Sequence, residues 1–312
     1  MSQPAHDRKR PLKVGIQLPE IERVAPWRDI AAMARRAEEL GFDSLWVGDH
    51  LLYRNPGEEP KGPWEAWSLL AALAAITERV ELGPLVACTS FHNPAMLAKK
   101  ADTIEEISGG RLILGLGAGW NEPEYRAFGF PYDHRVSRFE EAFTIIRSLL
   151  VDGHVDFDGT YYQVRDCELR PRGPRPGGPP LMIGSRGARM LRITLPHVAS
   201  WNAWYAYYGN RPDELPPLLR ELDDACAEVD RDPATVERTV AVLVGLSGST
   251  TRPSGDVTER DVSPITGTPE ELAETLRGFA RQGVGHVQLV LDPNTIAAIE
   301  ECAPVLELLD RG

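Results

Sequence analysis

Long apolar runs are missing from this 312-residue chain. No stretch approaches the roughly 20 apolar residues that a membrane-spanning helix needs, and the basic, polar start "MSQPAHDRKRPLK" is followed by no apolar run of the kind a secretory signal requires. Cysteine is scarce. Cys88, Cys167, Cys226 and Cys302 are scattered, with no CxxC pair and no clustered histidines, which excludes a zinc centre and a disulfide framework and fits a reducing cytoplasm. Positive charge is in deficit as well, 34 Lys and Arg against 46 Asp and Glu, so the net charge of −12 excludes a broad nucleic-acid surface and an acidic membrane as partners. His92, His134, His154, His197 and His286 show no metal-ligand spacing, and no metal is expected.

What is present is a rhythm. Short β-branched runs alternate with longer amphipathic ones eight times, the strand candidates being 13–18, 44–48, 80–87, 112–117, 180–184, 198–201, 239–246 and 286–291. Most are apolar throughout, as parallel strands covered on both faces are. The helices between them carry stripes, among them Phe139, Ala142, Phe143, Ile146, Leu149 and Leu150, and then Leu272, Leu276, Phe279 and Ala280. "TPEEL" at 268–272 offers Thr268 as N-cap and Pro269 in the first turn. Eight βα units predict an α/β fold, a (β/α)8 TIM barrel formed by one domain over 12–312 behind a flexible tail, 1–11; a doubly wound open sheet is the lesser reading. Two insertions break the rhythm. "VDFDGTYYQV", 155–164, predicts a β-hairpin around Asp158-Gly159 before the fifth strand, and the Gly/Ser/Thr/Pro-rich 247–267 predicts a long loop after the seventh, a lid or plain disorder.

In such a barrel the residues just past each strand converge on one mouth. "SLWVGDH" therefore delivers Asp49 and His50 to it, an imidazole suited to moving protons near neutral pH beside a carboxylate. The fourth strand ends in "GLGAGWNEPEY", which lacks the last glycine of a dinucleotide fingerprint. Its closely spaced glycines would instead let backbone approach a flat ligand, with Trp120, Asn121, Glu122 and Tyr125 able to line a pocket. "GSRGARMLR" after the fifth strand places Gly184, Ser185 and Gly187 at a helix start near Arg186, Arg189 and Arg192, a phosphate candidate or a capped helix with solvated arginines. "SWNAWY" adds Trp201, Trp204 and Tyr205 after the sixth, as core or as the wall of an apolar or aromatic substrate site.

The order of these motifs, above all 93–150 followed by "FDGTYYQV", "GSRGARMLR" and "ITGTPEELAETLRGFARQGVGHVQLVL", resembles the bacterial luciferase-like family of flavin- and deazaflavin-dependent oxidoreductases over about residues 12–310. The resemblance implies a TIM barrel that binds the deazaflavin coenzyme F420, or alternatively FMN, over its C-terminal mouth. It implies His50 as the residue of proton transfer, with Asp49 as an orienting or cofactor-contacting partner. Pro84, Leu85 and Val86 match a strand carrying a non-prolyl cis peptide behind the ring. Gly117, Ala118, Gly119 and Asn121 would meet the ring or ribityl chain, and Gly184, Ser185, Arg186 and Gly187 the phosphate. Where the sugar-phosphate dehydrogenases of the family place a glutamate directly after the fourth-strand glycines, this chain has Gly119 and Trp120, and Glu122 is displaced.

The expected function is hydride transfer between F420 and a small, apolar or aromatic organic molecule, with Trp120, Tyr125, Trp201 and Trp204 around it. The alternative is an FMN-dependent monooxygenase using reduced flavin and oxygen; a non-catalytic flavin carrier is the third reading. A homodimer is expected from the resemblance.

Overall fold

The computed structural model describes residues 10–249 and 262–312. Its strands are β1 Lys13–Gln17, β2 Ser44–Val47, β3 Glu81–Pro84, β4 Ala87–Cys88, β5 Leu114–Gly117, β6 His154–Asp158, β7 Gln163–Glu168, β8 Leu181–Ile183, β9 Ser200–Ala203, β10 Glu237–Gly245 and β11 Val284–Asp292. Nine of them form one parallel sheet in the order β3-β2-β1-β11-β10-β9-β8-β5-β4. Its two ends are halves of one strand, the expected 80–87, interrupted by a cis peptide between Leu85 and Val86. A Leu82–Leu112 bridge and the β4–β5 pairing bring those ends together into a nearly closed barrel.

The barrel interior dictates residue size. Trp46 on β2 is fully buried inside it, and the flanking strands make room with glycines: a Cβ at Gly83 would lie 2.6 Å from the Trp46 ring, and one at Gly15 2.9 Å from its Nε1. Trp46 Nε1 donates to Ser44 Oγ (2.7 Å), which lies 2.7 Å from His286 Nε2. Around the sheet run α1 Trp27–Leu40, α2 Ala66–Ile76, α3 Pro94–Ser108, α4 Glu122–Phe128, α5 Arg135–Asp152, α6 Ala188–Thr194, α7 Pro216–Glu228, α8 Pro269–Arg281, α9 Ile296–Glu301 and α10 Ala303–Arg311. The α5 stripe is buried as the periodicity predicts. Helix α8 starts with a full capping box between Thr268 and Glu271, which satisfies two of the N–H groups a helix start leaves open.

One expectation changes. The hairpin forms, but its turn spans residues 159–162, because Glu141 on α5 accepts hydrogen bonds from the backbone of Thr160, Tyr161 and Tyr162 and holds them out of the ladder; β7 then runs on to Glu168. Of the expected tail 1–11, residues 1–9 lie outside the described residues. Arg10, its side chain 4% exposed, pairs with Asp43 and with both carboxylate oxygens of Asp310, so the barrel body takes it in. Of the loop 247–267, residues 250–261 lie outside the described residues; on its flanks Ser249 Oγ donates to Asp292 and Ile265 bridges to Val244. Among the described residues no helix is long and apolar enough to cross a membrane, and no group of three or more His, Cys, Asp or Glu could hold a metal ion.

Candidate active site

The C-terminal ends of the strands open on a cleft of about 730 Å³. Gln17 and Glu20 reach it from the end of β1, Asp49 and His50 from β2, and Asn202 and Trp204 from β9. Its floor is formed by Leu85, Val86 and Ala87 at the strand break and by Gly117, Ala118 and Gly119 at the end of β5. Gly184, Ser185, Arg186 and Gly187 form the far wall after β8.

His50 is the best-defined group in this cleft. Its Nδ1 lies 2.8 Å from Glu124 Oε1, while Glu124 Oε2 accepts from the backbone of Leu51 (2.8 Å) and Leu52 (3.2 Å). A carboxylate can only accept, so Nδ1 carries a proton and Nε2 is the nitrogen left for exchange. Nε2 is 4.0 Å from Glu20 Oε1. Burial works against the charged imidazole, but the bond to Glu124 and the fields of Glu20, Glu124 and Asp49 outweigh it and raise its pKa above the ordinary histidine value. The ring sits against Tyr53 (centroids 4.7 Å apart) and edge-on to Trp120 (5.6 Å). Glu20 in turn accepts from Tyr53 Oη (2.7 Å) and from Gln17 Nε2 (2.9 Å).

Asp49 reaches the cleft wall but does not orient His50. Its Oδ2 accepts the Cys88 N–H (2.9 Å) and lies 2.9 Å from His92 Nε2, so the carboxylate ties β2 to the far half of the broken strand. Pro84 is not part of the wall; Leu85 and Val86, on either side of the cis bond, are. Tyr125 is also displaced from its expected place. It is fully buried behind the glycine turn, where its Oη donates to Ala118 O (2.8 Å) and lies 3.1 Å from Cys88 Sγ. Burial pushes both the Tyr125 hydroxyl and the Cys88 thiol far up, so neither ionises near neutral pH. Gly119 makes this packing possible: its φ is +74°, and a Cβ there would meet Tyr125 Oη at 2.0 Å. Asn121 donates through Nδ2 to Leu52 O (3.0 Å) and Trp201 through Nε1 to Ser185 O (2.8 Å); both side chains are buried and stand behind the wall rather than on it.

Trp120 and Trp204 do line the cleft. Of the three arginines near residues 184–187 only Arg186 does, 3.4 Å from Glu221; Arg189 turns to Glu140 and Arg192 to Glu228. Glu20, Tyr53, Gln17, Asn202 and Glu124 went unnoticed in the sequence, and His92 was considered only as a metal ligand. The signal for Glu124 was faint: an acid on a short helix next to a core tyrosine, whereas Glu122, which drew attention, is exposed and pairs with Arg126.

Residues 10–252 match the model of the luciferase-like monooxygenases. The chain belongs to the luciferase-like monooxygenase family. This luciferase-like chain is 39% identical over 181 residues to the F420-dependent glucose-6-phosphate dehydrogenase of Amycolatopsis mediterranei, a match covering 54% of this chain and 53% of that one. It is 31% identical over 206 residues to the pyrimidine monooxygenase RutA of Stutzerimonas stutzeri, covering 64% and 56%. The chain thus spans about half the length of these curated relatives. In fold it is similar to an F420-dependent secondary alcohol dehydrogenase solved with an F420–acetone adduct, at a TM-score of 0.79 and 20% identity over 96% of this luciferase-like chain and 99% of the other.

Proposed function

We propose that the protein is an F420-dependent oxidoreductase that moves a hydride between the deazaflavin and a small organic molecule, with His50 handling the accompanying proton. The observation that carries this reading is the His50–Glu124 pair, an imidazole whose tautomer is fixed and whose basicity is raised, standing in a cleft also lined by Leu85, Val86 and Ala87 and by Gly117, Ala118 and Gly119. The names of relatives on both sides, F420-dependent dehydrogenases among them, support the same class.

The residues present fit the coenzyme. The floor at residues 85–87 and 117–119 suits a flat tricyclic ring. Asn202 spends both amide protons on Thr239 Oγ1 and Gln288 Oε1, each at 2.8 Å, which leaves its oxygen to accept from an N–H on the polar edge of such a ring. Arg186 and the backbone of residues 184–187 would hold the phosphate. Bound F420 supplies the carbon that takes or gives the hydride.

The chain's own residues do the rest. In the oxidising direction His50 Nε2 takes the proton of the substrate hydroxyl, and in the reducing direction it returns one to the nascent alcohol or amine. Glu124 holds Nδ1–H through both and favours the charged ring formed when a proton arrives. Trp120 and Tyr53 narrow the space beside the imidazole and limit water. The homodimer and the cytoplasmic setting expected from the sequence belong to the same reading.

A fluorescence titration of the apoprotein with F420 and separately with FMN, in both redox states and without oxygen, tests the assignment. Tighter binding of F420 is the expected result. Preference for FMN, with oxygen uptake once the flavin is reduced, would replace this reading by the monooxygenase one that the RutA likeness motivates.

A further inference from the structure

Polar groups at the His50 end of the cleft are arranged to accept hydrogen bonds, and one of them lacks a donor. Gln17 is 1% exposed and lies on the cleft wall. Its amide nitrogen donates to Glu20 Oε2 at 2.9 Å, and because that carboxylate cannot donate, the orientation of the amide is fixed. Oε1 is thereby left buried with no hydrogen-bond partner. A buried unpaired acceptor is destabilising, and such a group calls for a partner absent from the protein itself.

Charge points the same way. The carboxylates of Glu20, Asp49 and Glu124 stand at this end with side chains 6%, 2% and 1% exposed. Among the described lysines and arginines Arg186 alone lines the cleft, and it follows β8, halfway round the barrel from the β1 end that carries Gln17 and Glu20. An anion brought next to His50 would therefore meet three poorly solvated carboxylates.

We infer that the molecule taken up beside His50 presents, besides the group that exchanges its proton with His50, a second hydrogen-bond donor, a hydroxyl or an amine, to Gln17 Oε1, and that it is neutral or cationic, so that phosphorylated and carboxylated compounds are turned away there. The inference rests on the oxidoreductase reading for the cleft being the substrate site, but the donor and charge requirement is independent of which cofactor lies on the floor.

The test is a matched ligand series titrated into F420-saturated protein by calorimetry, each with one hydroxyl for His50 and a varied neighbour: cyclohexane-1,2-diol, 2-aminocyclohexanol, 2-methylcyclohexanol and 2-hydroxycyclohexanecarboxylate. The diol and the amino alcohol should each bind about tenfold or more tighter than the methyl isostere, which leaves Gln17 Oε1 unpaired, and than the carboxylate. Gln17→Leu should bring the diol and the methyl compound to equal affinity, and Glu20→Gln should narrow the gap between diol and carboxylate several-fold, with F420 affinity held within about twofold in both. The wild-type series decides the matter even if a variant fails to fold. The hydroxy-carboxylate or 2-methylcyclohexanol binding as tightly as the diol would overturn the inference. Failure of F420 itself to bind would overturn the functional reading instead, and the same series on FMN-loaded protein would then decide the inference on its own.

Discussion

Replacing Glu124 by Gln changes one atom and should disable the proton chemistry of His50. The backbone N–H groups of Leu51 and Leu52 both point at Glu124 Oε2 and need an acceptor there. A glutamine has a single oxygen, so that oxygen stays with the backbone and the NH2 takes the place of Oε1, 2.8 Å from His50 Nδ1. Nδ1 must then accept rather than donate, which flips the tautomer and removes a bond to the charged ring. A hydrogen bond to an ionised group contributes about 1.5–3 kcal/mol. The lost field of a unit charge adds at most about 4 kcal/mol at 4 Å for an effective dielectric constant near 20, reduced here because the His50 side chain is 21% exposed. A net bias of about 2–4 kcal/mol against the imidazolium follows. Histidine ring signals followed by NMR across pH should show the His50 titration moving to lower pH in Glu124→Gln, and the corresponding limb of the kcat/KM profile should move with it while F420 affinity stays near wild type. An unchanged titration of His50 would refute the role given to Glu124.

Two further substitutions probe the frame around the site. Burial pushes His286 down to about 3, and it lies 2.7 Å from Ser44 Oγ, whose proton it can accept only while neutral. The unfolded chain, with an ordinary histidine near 6.5, binds more protons than the folded one between those values. This stabilisation is therefore complete above about pH 6.5 and is lost by about 1.4 kcal/mol per unit as pH falls toward 3; His286→Gln keeps an acceptor without titrating, so its urea midpoint should fall less steeply between pH 6.5 and 5 than that of wild type. An equal slope in both proteins would count against it. Gly119→Ala forces an L residue into φ +74° and a Cβ to within 2.0 Å of Tyr125 Oη, so denaturant melts should show a loss of about 1–3 kcal/mol together with weaker F420 binding, and a change under about 0.5 kcal/mol would show that the turn can move away from Tyr125 at little cost.

The barrel was legible because its signals are local and repeated. Apolar runs for buried parallel strands, the α5 stripe and the Thr268 capping box can all be read within one element. Strand position alone brought His50 to the mouth. The partner of His50 was not legible, because the Glu124 contact joins groups 74 residues apart and Glu124 differs in no local way from the other acids of an acidic chain. Asp49 was paired with His50 on adjacency, yet neighbours at a strand end point apart, and its carboxylate goes to the backbone and His92 instead. Tyr125 and Trp201 were placed at the mouth because aromatics suit a pocket; the close approach that Gly119 allows and the Ser185 carbonyl draw them behind the wall. Gln17 looked like a strand residue and Asn202 fell just past the sixth candidate strand, and only the nearly closed barrel turns their amides inward.

The most direct measurement is the turnover of His50→Ala with F420 saturating, run beside a titration of F420 into the same variant. Loss of the proton-transfer group should lower kcat by about 100-fold or more while F420 affinity changes by no more than a few-fold, since the floor and the residue 184–187 wall are untouched. Near-normal turnover in His50→Ala would contradict the account, whatever the affinity.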